Sequence, residues 1–141
     1  MIDDKDRKII EMLIENGRIT FTEMAKVIGI TEAAVRKRVK RLEEEGIIKK
    51  YTAVVNHKAL GYNVVSLVGI DVESDKLLKI ADTVASNDWA RKVWITTGDH
   101  MIMIEVWARD NDEFMKIIEE LGKIEGVKRV CPAIVLETIK I

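Results

Sequence analysis

Apolar residues recur at helical spacing over the first third of the chain, and then in blocks that switch between helical and strand spacing. Residues 3–16 read as a helix, with Ile9, Ile10, Leu13 and Ile14 on one face. Asp3 can cap its start, Asp4 and Asp6 suit the positive end of the helix dipole, and Gly17 ends it. A second helix opens at "TFTE", where Thr20 and Glu23 have the spacing of a capping box. Met24, Ala25, Val27 and Ile28 supply its apolar face, and Gly29 stops it. After "GIT" a third helix is predicted from Glu32 to Glu45, with Thr31 as N-cap and Gly46 as breaker. Val35, Val39 and Leu42 fall at i, i+4 and i+7 and face inward. Helix, short Gly-containing turn, helix is the helix-turn-helix pattern. The segment "IIKKYTAVVN" then reads as a strand, followed by the connector "HKALGY".

From residue 62 the period alternates. Strand spacing covers 62–72, 91–97, 101–108 and 127–140. Helical spacing covers 75–86, through Leu77, Leu78, Ile80, Ala81, Val84 and Ala85, and 111–121, through Phe114, Ile117, Ile118 and Leu121. "GDH" joins the second and third strands as a hairpin. The order β-α-β-β-α-β is the ferredoxin-like arrangement. The expected fold is α+β: a helix-turn-helix domain over 1–50, strand and connector over 51–61, and a ferredoxin-like βαββαβ domain over 62–141.

Both faces of the predicted third strand are apolar. Met101, Met103 and Trp107 point one way with Glu105 among them, and Ile102, Ile104 and Val106 point the other. The last strand behaves similarly, with Ala133, Val135 and Ile139 against Ile134 and Leu136. Two helices cover one face of such a sheet, so something else must cover the other. A second copy is the economical cover, since most oligomers are symmetric dimers. A longer loop or the N-terminal domain folding over that face is the competing cover.

Composition narrows the class. With 141 residues, 48% hydrophobic and 33% charged, the chain suits one domain or two small ones in a soluble globular protein. No apolar run reaches the roughly 18 residues of a membrane span, and "MIDDKDRK" lacks a signal peptide's apolar core, so a cytoplasmic location and no membrane partner are expected. One cysteine, Cys131, forms no internal disulfide, and with only His57 and His100 no metal cluster is visible. No cofactor is expected, because no Gly-rich phosphate loop is present. His57, in the connector, reads as a surface loop residue rather than a ligand.

Charge changes the picture more. Residues 1–50 carry 12 Lys+Arg and 10 Asp+Glu, while 51–141 carry 11 and 14. The basic residues concentrate in "VRKRVKR", residues 35–41, five of them with no acid. A bare basic run is more often a solvated face. Here it lies on the second helix of a helix-turn-helix, the one that enters the DNA major groove and meets base edges with its first residues. Those are Glu32, Ala33, Ala34, Arg36 and Lys37, beginning from the Thr31 cap. The alanines let the backbone approach, a methyl there can touch a thymine methyl, and Arg36 can fork onto a guanine. Arg38, Lys40 and Arg41 are further along and are expected to hold phosphates. Glu43, Glu44 and Glu45 repel phosphate and mark where the helix leaves the groove.

The pair Asp99-His100 resembles catalytic equipment, but adjacent residues of an extended hairpin point to opposite faces, and no nucleophile motif accompanies it. No catalytic residue is assigned. Thr97, Gly98, Asp99 and His100 have two readings. In one, the turn holds a small effector: Gly98 permits a positive φ, backbone N–H groups can hold a carboxylate, and Asp99 can hold an ammonium group. In the other, Gly98-Asp99 is simply a good hairpin turn.

Across essentially its whole length the chain resembles the leucine-responsive regulatory protein (Lrp/AsnC, feast/famine) family. The matching stretches are "IDDKDRKIIEMLIENGRITFTEMAKVIGITEAAVRKRVKRLEEEGIIKKYTAVVNHKALGY" and "VWITTGDHMIMIEV". The resemblance implies an N-terminal helix-turn-helix and a C-terminal ferredoxin-like domain that dimerises sheet to sheet, assembles into tetramers or octamers, and often binds amino acids. It places the effector at the "TTGDH" turn, where many relatives read Gly-Asp-Tyr-Asp. His100 here replaces the aromatic and Met101 the second Asp.

The expected function is therefore a sequence-specific transcription regulator without enzymatic activity. It would bind a palindromic operator in double-stranded DNA as a homodimer or higher oligomer, modulated by an amino acid. Two alternatives stand beside it. One is an enzyme like the haem-pathway decarboxylases, similar in fold, with His100 as an acid; the basic helix argues against it. The other is a non-specific, chromatin-like DNA binder.

Overall fold

The computed structural model describes residues 1–141 and divides into two compact units, Met1–Val54 and Val55–Ile141. No helix is long and apolar enough to cross a membrane.

The first unit holds three helices, α1 (Asp4–Glu15), α2 (Phe21–Ile28) and α3 (Glu32–Glu44). Their caps are written locally. At α1 the Asp3 side chain accepts from the Asp6 N–H at 2.8 Å, and the Asp6 side chain accepts from the Asp3 N–H at 3.1 Å. The complete capping box is thus at α1 and not at α2, where Thr20 accepts from the Glu23 N–H at 3.1 Å without a return bond. Thr31 caps α3 by accepting from the Ala34 N–H at 3.1 Å. Gly29 turns the chain between α2 and α3 at φ +80°, a left-handed conformation that costs a glycine little. Ile9, Met24, Val35, Val39 and Leu42 form the buried centre.

The apolar arcs are narrower than the sequence pattern. Ile14 and Val27 are 79% and 71% exposed. At about 100° per residue, Ile14 lies roughly 140° round from buried Ile9, and Val27 roughly 110° from the midline of buried Met24 and Ala25. Both therefore miss a core that only three short helices enclose.

The strand expected over 47–56 does not form; Lys58–Leu60 after it is a short 3-10 turn. An extended segment becomes a strand only when a neighbour takes up its N–H and C=O groups, and this one pairs with no other part of the chain.

The second unit contains β1 (Val64–Val72), α4 (Leu77–Ala85), β2 (Ala90–Ile95), β3 (Ile102–Ala108), α5 (Asn111–Lys123) and β4 (Val127–Ile134). The sheet order is β2-β3-β1-β4 with every neighbour antiparallel, which is the ferredoxin-like arrangement. Helix α4 starts at Leu77, after a 3-10 turn over Ser74–Lys76, and Leu78 on it is 70% exposed. Strand β4 ends at Ile134 rather than running to 140; only the Val135 N–H, bonding to the Val65 carbonyl at 2.8 Å, continues the ladder. Beyond that the partner strand β1 has ended, so the tail has nothing to pair with.

The core lies between the helices and one sheet face. Val68, Ile70, Ile102 and Ile104 pack there under Ile80, Val84, Phe114 and Leu121. The opposite face carries Leu67, Met103, Trp94 and Trp107, with Leu67 38% and Trp94 42% exposed.

Candidate nucleic-acid interface and effector turn

Helix α3 sorts its side chains into arcs. Val35, Val39 and Leu42 face the core. Roughly opposite at 100° per residue lie Ala33, Lys37, Lys40 and Glu44, all exposed. Lys37 is in no ion pair, and Lys40 meets only Glu44, at 4.0 Å with both side chains in solvent.

One flank of α3 faces α2. Glu32 accepts from the Thr22 hydroxyl at 3.0 Å and pairs with Arg36 at 3.0 Å, while the Arg36 guanidinium lies 5.5 Å from the Phe21 ring. These contacts hold Glu32 at the helix N-terminus, where a carboxylate complements the dipole. They leave the Arg36 side chain 60% exposed.

The other flank faces α1. Arg38 donates to Asp3 at 2.7 Å and to Asp6 at 3.0 Å, and Arg41 donates to Asp6 and to Glu45, the latter at 3.2 Å. The Asp6 side chain is 1% exposed. Burial pushes its pKa up, but the bond from the Asp3 N–H and those from Arg41 and Arg38 outweigh burial and hold it below the usual carboxylate range. The Asp3 carboxyl, bonded to the Asp6 N–H and then to Arg38, is lowered to about 2. Thr31 and Ala34 complete the first turn, Thr31 through its cap. The sequence pattern marks Asp3 as a cap and Asp6 as a dipole residue; no local signal reveals partners 35 and 32 residues away.

The turn between β2 and β3 is longer than the tight hairpin expected from "GDH": the strands end at Ile95 and resume at Ile102. Thr96 closes it by donating from its N–H to the Met101 carbonyl at 3.0 Å and from its hydroxyl to the His100 carbonyl at 2.9 Å. Thr97, Gly98 and Asp99 form an exposed tip, with Gly98 at φ +96°. His100 turns away from them, onto the sheet face that α4 and α5 leave bare. Its ring lies on Gly69, where any Cβ would collide with its Cγ and Cδ2. His100 Nδ1 meets Asp71 Oδ1 at 3.1 Å, and Arg129 Nε donates to Asp71 Oδ2 at 2.8 Å. These bonds, that from His100 foremost, hold the Asp71 carboxyl below its ordinary value. Asp99 takes no part. The pairing of Asp71 with His100 and Arg129 had no signature in sequence, since it joins β1, β4 and the turn before β3. His57, in the connector, is half-buried, with its ring edge-on to Trp107 at 4.4 Å.

This geometry agrees with comparisons to known proteins. Residues 2–49 match the family model for winged helix-turn-helix DNA-binding domains, and residues 65–141 match the Lrp/AsnC ligand binding domain. The chain belongs to the Lrp/AsnC family. It is 48% identical to the HTH-type transcriptional regulator LrpA of Pyrococcus horikoshii, over 99% of this chain and 100% of that one. Its fold superposes on E. coli AsnC with TM-score 0.85 and 29% identity, covering 100% of this chain and 96% of that chain. A transcriptional regulator from Neisseria meningitidis solved in complex with L-Met shares the fold at TM-score 0.87 and 23% identity, covering 99% and 93%. The protein is thus a DNA-binding transcriptional regulator with a ligand-binding domain, and not an enzyme of the decarboxylase type.

The lowered carboxyls set an acid limit. A depressed folded-state pKa contributes stability above the unfolded value, about 3.9 for Asp, and loses it as pH falls through the folded value. The melting temperature should therefore be flat from pH 7 to about 5 and fall as the pH drops toward 2. Asp6→Ala should lower stability at pH 7 by roughly 2 kcal/mol, between the ranges for exposed and buried pairs, because its arginine partners are themselves partly solvated. Circular-dichroism melts across this range, on the protein and the variant, measure both.

Proposed function

We propose that this regulator reads a palindromic operator through the solvent arc and first turn of α3. Ala33 and Ala34 would allow close approach to base edges, Arg36 and Lys37 would meet bases, and Lys40 would hold a phosphate, with Thr31 and Glu32 at the entry. The observation that carries this reading is the unpaired, outward-facing Lys37 beside Lys40 and the largely exposed Arg36 on the second helix of a helix-turn-helix. Lys37→Ala together with Lys40→Ala should weaken binding to the promoter of its own gene and lower the slope of log K against log salt by about 0.9 for each phosphate that is no longer neutralised. Anisotropy titrations at several salt concentrations measure this, and an unchanged slope and affinity would sink the assignment. Footprinting then separates operator reading from a chromatin-like role, which would protect every sequence alike.

The same reading makes the working form a homodimer joined through the bare sheet face, with dimers associating further into tetramers or octamers. Leu67, Trp94 and Met103 leave apolar surface there. Two recognition helices related by a two-fold axis then meet two half-sites. Leu67→Asp, which places a charge in the middle of that face, should reduce the particle to a monomer in sedimentation velocity. A particle whose mass does not change with this variant would argue against sheet-to-sheet pairing.

The Thr97–Asp99 tip is the proposed seat of an amino-acid effector, with backbone N–H groups about Gly98 for the carboxylate and Asp99 for the ammonium. His100, bonded to Asp71, would shape its base rather than touch the ligand. The match to a ligand-binding family model and the L-Met complex of the Neisseria regulator support it. Thermal-shift screening against the twenty amino acids checks it: a ligand at 100 times its Kd adds about 2.7 kcal/mol and raises the melting temperature. If none shifts the wild-type protein, or if the shift survives Asp99→Ala undiminished, the tip is only a turn.

A further inference from the structure

The five basic residues of α3 are not equivalent. Arg36 and Lys40 are 60% and 75% exposed at the side chain, whereas Arg38 and Arg41 are 26% and 35%. Arg38 donates three times to carboxylate oxygens, at 2.9, 2.7 and 3.0 Å. Arg41 is held between Asp6 and Glu45. Asp6 in turn cannot point elsewhere: one of its oxygens also closes the capping box on the Asp3 N–H. Two carboxylates one helical turn apart thus offer the arginines what a DNA backbone offers, closely spaced anionic oxygens.

We propose that Asp3 and Asp6 are positioning residues of the DNA-recognition helix, acting as an internal substitute for backbone phosphates. They hold Arg38 and Arg41 against α1, so that these arginines fix the seat of α3 and supply none of the phosphate contacts. The electrostatic affinity for DNA then comes from Arg36, Lys37 and Lys40. This rests on the assignment of the solvent arc of α3 to DNA, and it removes Arg38 and Arg41 from the phosphate contacts that the basic run suggests. The physical reason is competition. A phosphate reaching Arg38 must displace two carboxylates already in place, and it would leave the buried Asp6 charge with a partner fewer, which is costly in a poorly solvated site. The intramolecular pair bears no cost of association, whereas the phosphate contact does. The ion pairs of Arg36 and Lys40 are with exposed glutamates at i−4 and i+4, which solvent already screens, and the Phe21 ring beside Arg36 carries no charge.

The salt dependence of DNA binding distinguishes the two classes. Arg38→Gln and Arg41→Gln, made separately, each leave Asp6 one arginine. Binding of each full-length variant to a mixed-sequence duplex is compared with the wild type and with Lys40→Gln, and melting is followed in parallel. Lys40→Gln should lower the slope of log K against log salt by about 0.9 per protomer without lowering the melting temperature. Arg38→Gln and Arg41→Gln should lower the melting temperature and leave the slope as in the wild type. If Lys40→Gln lowers the slope and either arginine variant lowers it equally, this inference is overturned while the DNA-facing arc stands. If Lys40→Gln is silent as well, the arc itself is wrong and the inference falls with it. Should an arginine variant not fold, arginine-selective labelling of the wild-type protein, read by mass spectrometry, replaces it. Added duplex should then protect Arg36 and leave the labelling of Arg38 and Arg41 as it is in the free protein; DNA-dependent protection at either overturns the proposal.

Discussion

Two helices are wide enough to cover one face of a four-stranded sheet and no more. Strands about 4.8 Å apart make a sheet roughly 19 Å across, and two helices of about 10 Å each span the same width. Helices α4 and α5 therefore use all their cover on Val68, Ile70, Ile102 and Ile104. What remains on the other side follows from that limit. Leu67, Trp94 and Met103 stay at the surface, and the polar residues of that face must find partners among themselves. Asp71, His100 and Arg129 do so across β1, β4 and the turn before β3, with Gly69 as the floor on which the imidazole rests.

The same limit operates in the first unit at the scale of one helix. Helix α3 buries one arc, and the flanks must be reconciled with α1 and α2. Toward α2 the contacts are light: a hydroxyl, an ion pair in solvent and a guanidinium beside an aromatic ring. Toward α1 they are heavy, because Asp6 is inside the unit and a buried carboxylate requires more than one donor. A run of five basic residues is thereby divided between holding the helix in place and facing outward. Charge along a helix measures potential, but the packing around it decides which charges are available.

Much of the architecture was legible because it is written within a few residues. Thr31 before Glu32, Asp3 before Asp6, and Gly29 between two helical runs act over one turn of chain, and each does so in the structure. The alternation of Ile102, Ile104 and Val106 with Met103 and Trp107 separated two apolar faces, since a strand turns successive side chains to opposite sides, but which of them the helices cover is seen only in the structure. Where local reading overreached, it lacked a partner or an angle. The segment 47–56 has strand composition and no strand to join. Ile14, Val27 and Leu78 have apolar side chains at positions about a third of a turn or more from the middle of the buried arc.

By itself, then, the sequence determined the order of the helices and of the four sheet strands, the helix-turn-helix and the ferredoxin-like topology, all of which depend on spacing and on neighbours in the chain. Only the tertiary structure decided which groups Arg38, Arg41 and His100 bond to. Their partners stand 35, 35 and 29 residues away, and which of several carboxylates each one meets depends on how the helices cross and how the strands register. An ion pair acts over a few ångströms and carries no periodicity, so nothing in the spacing of the chain announces it.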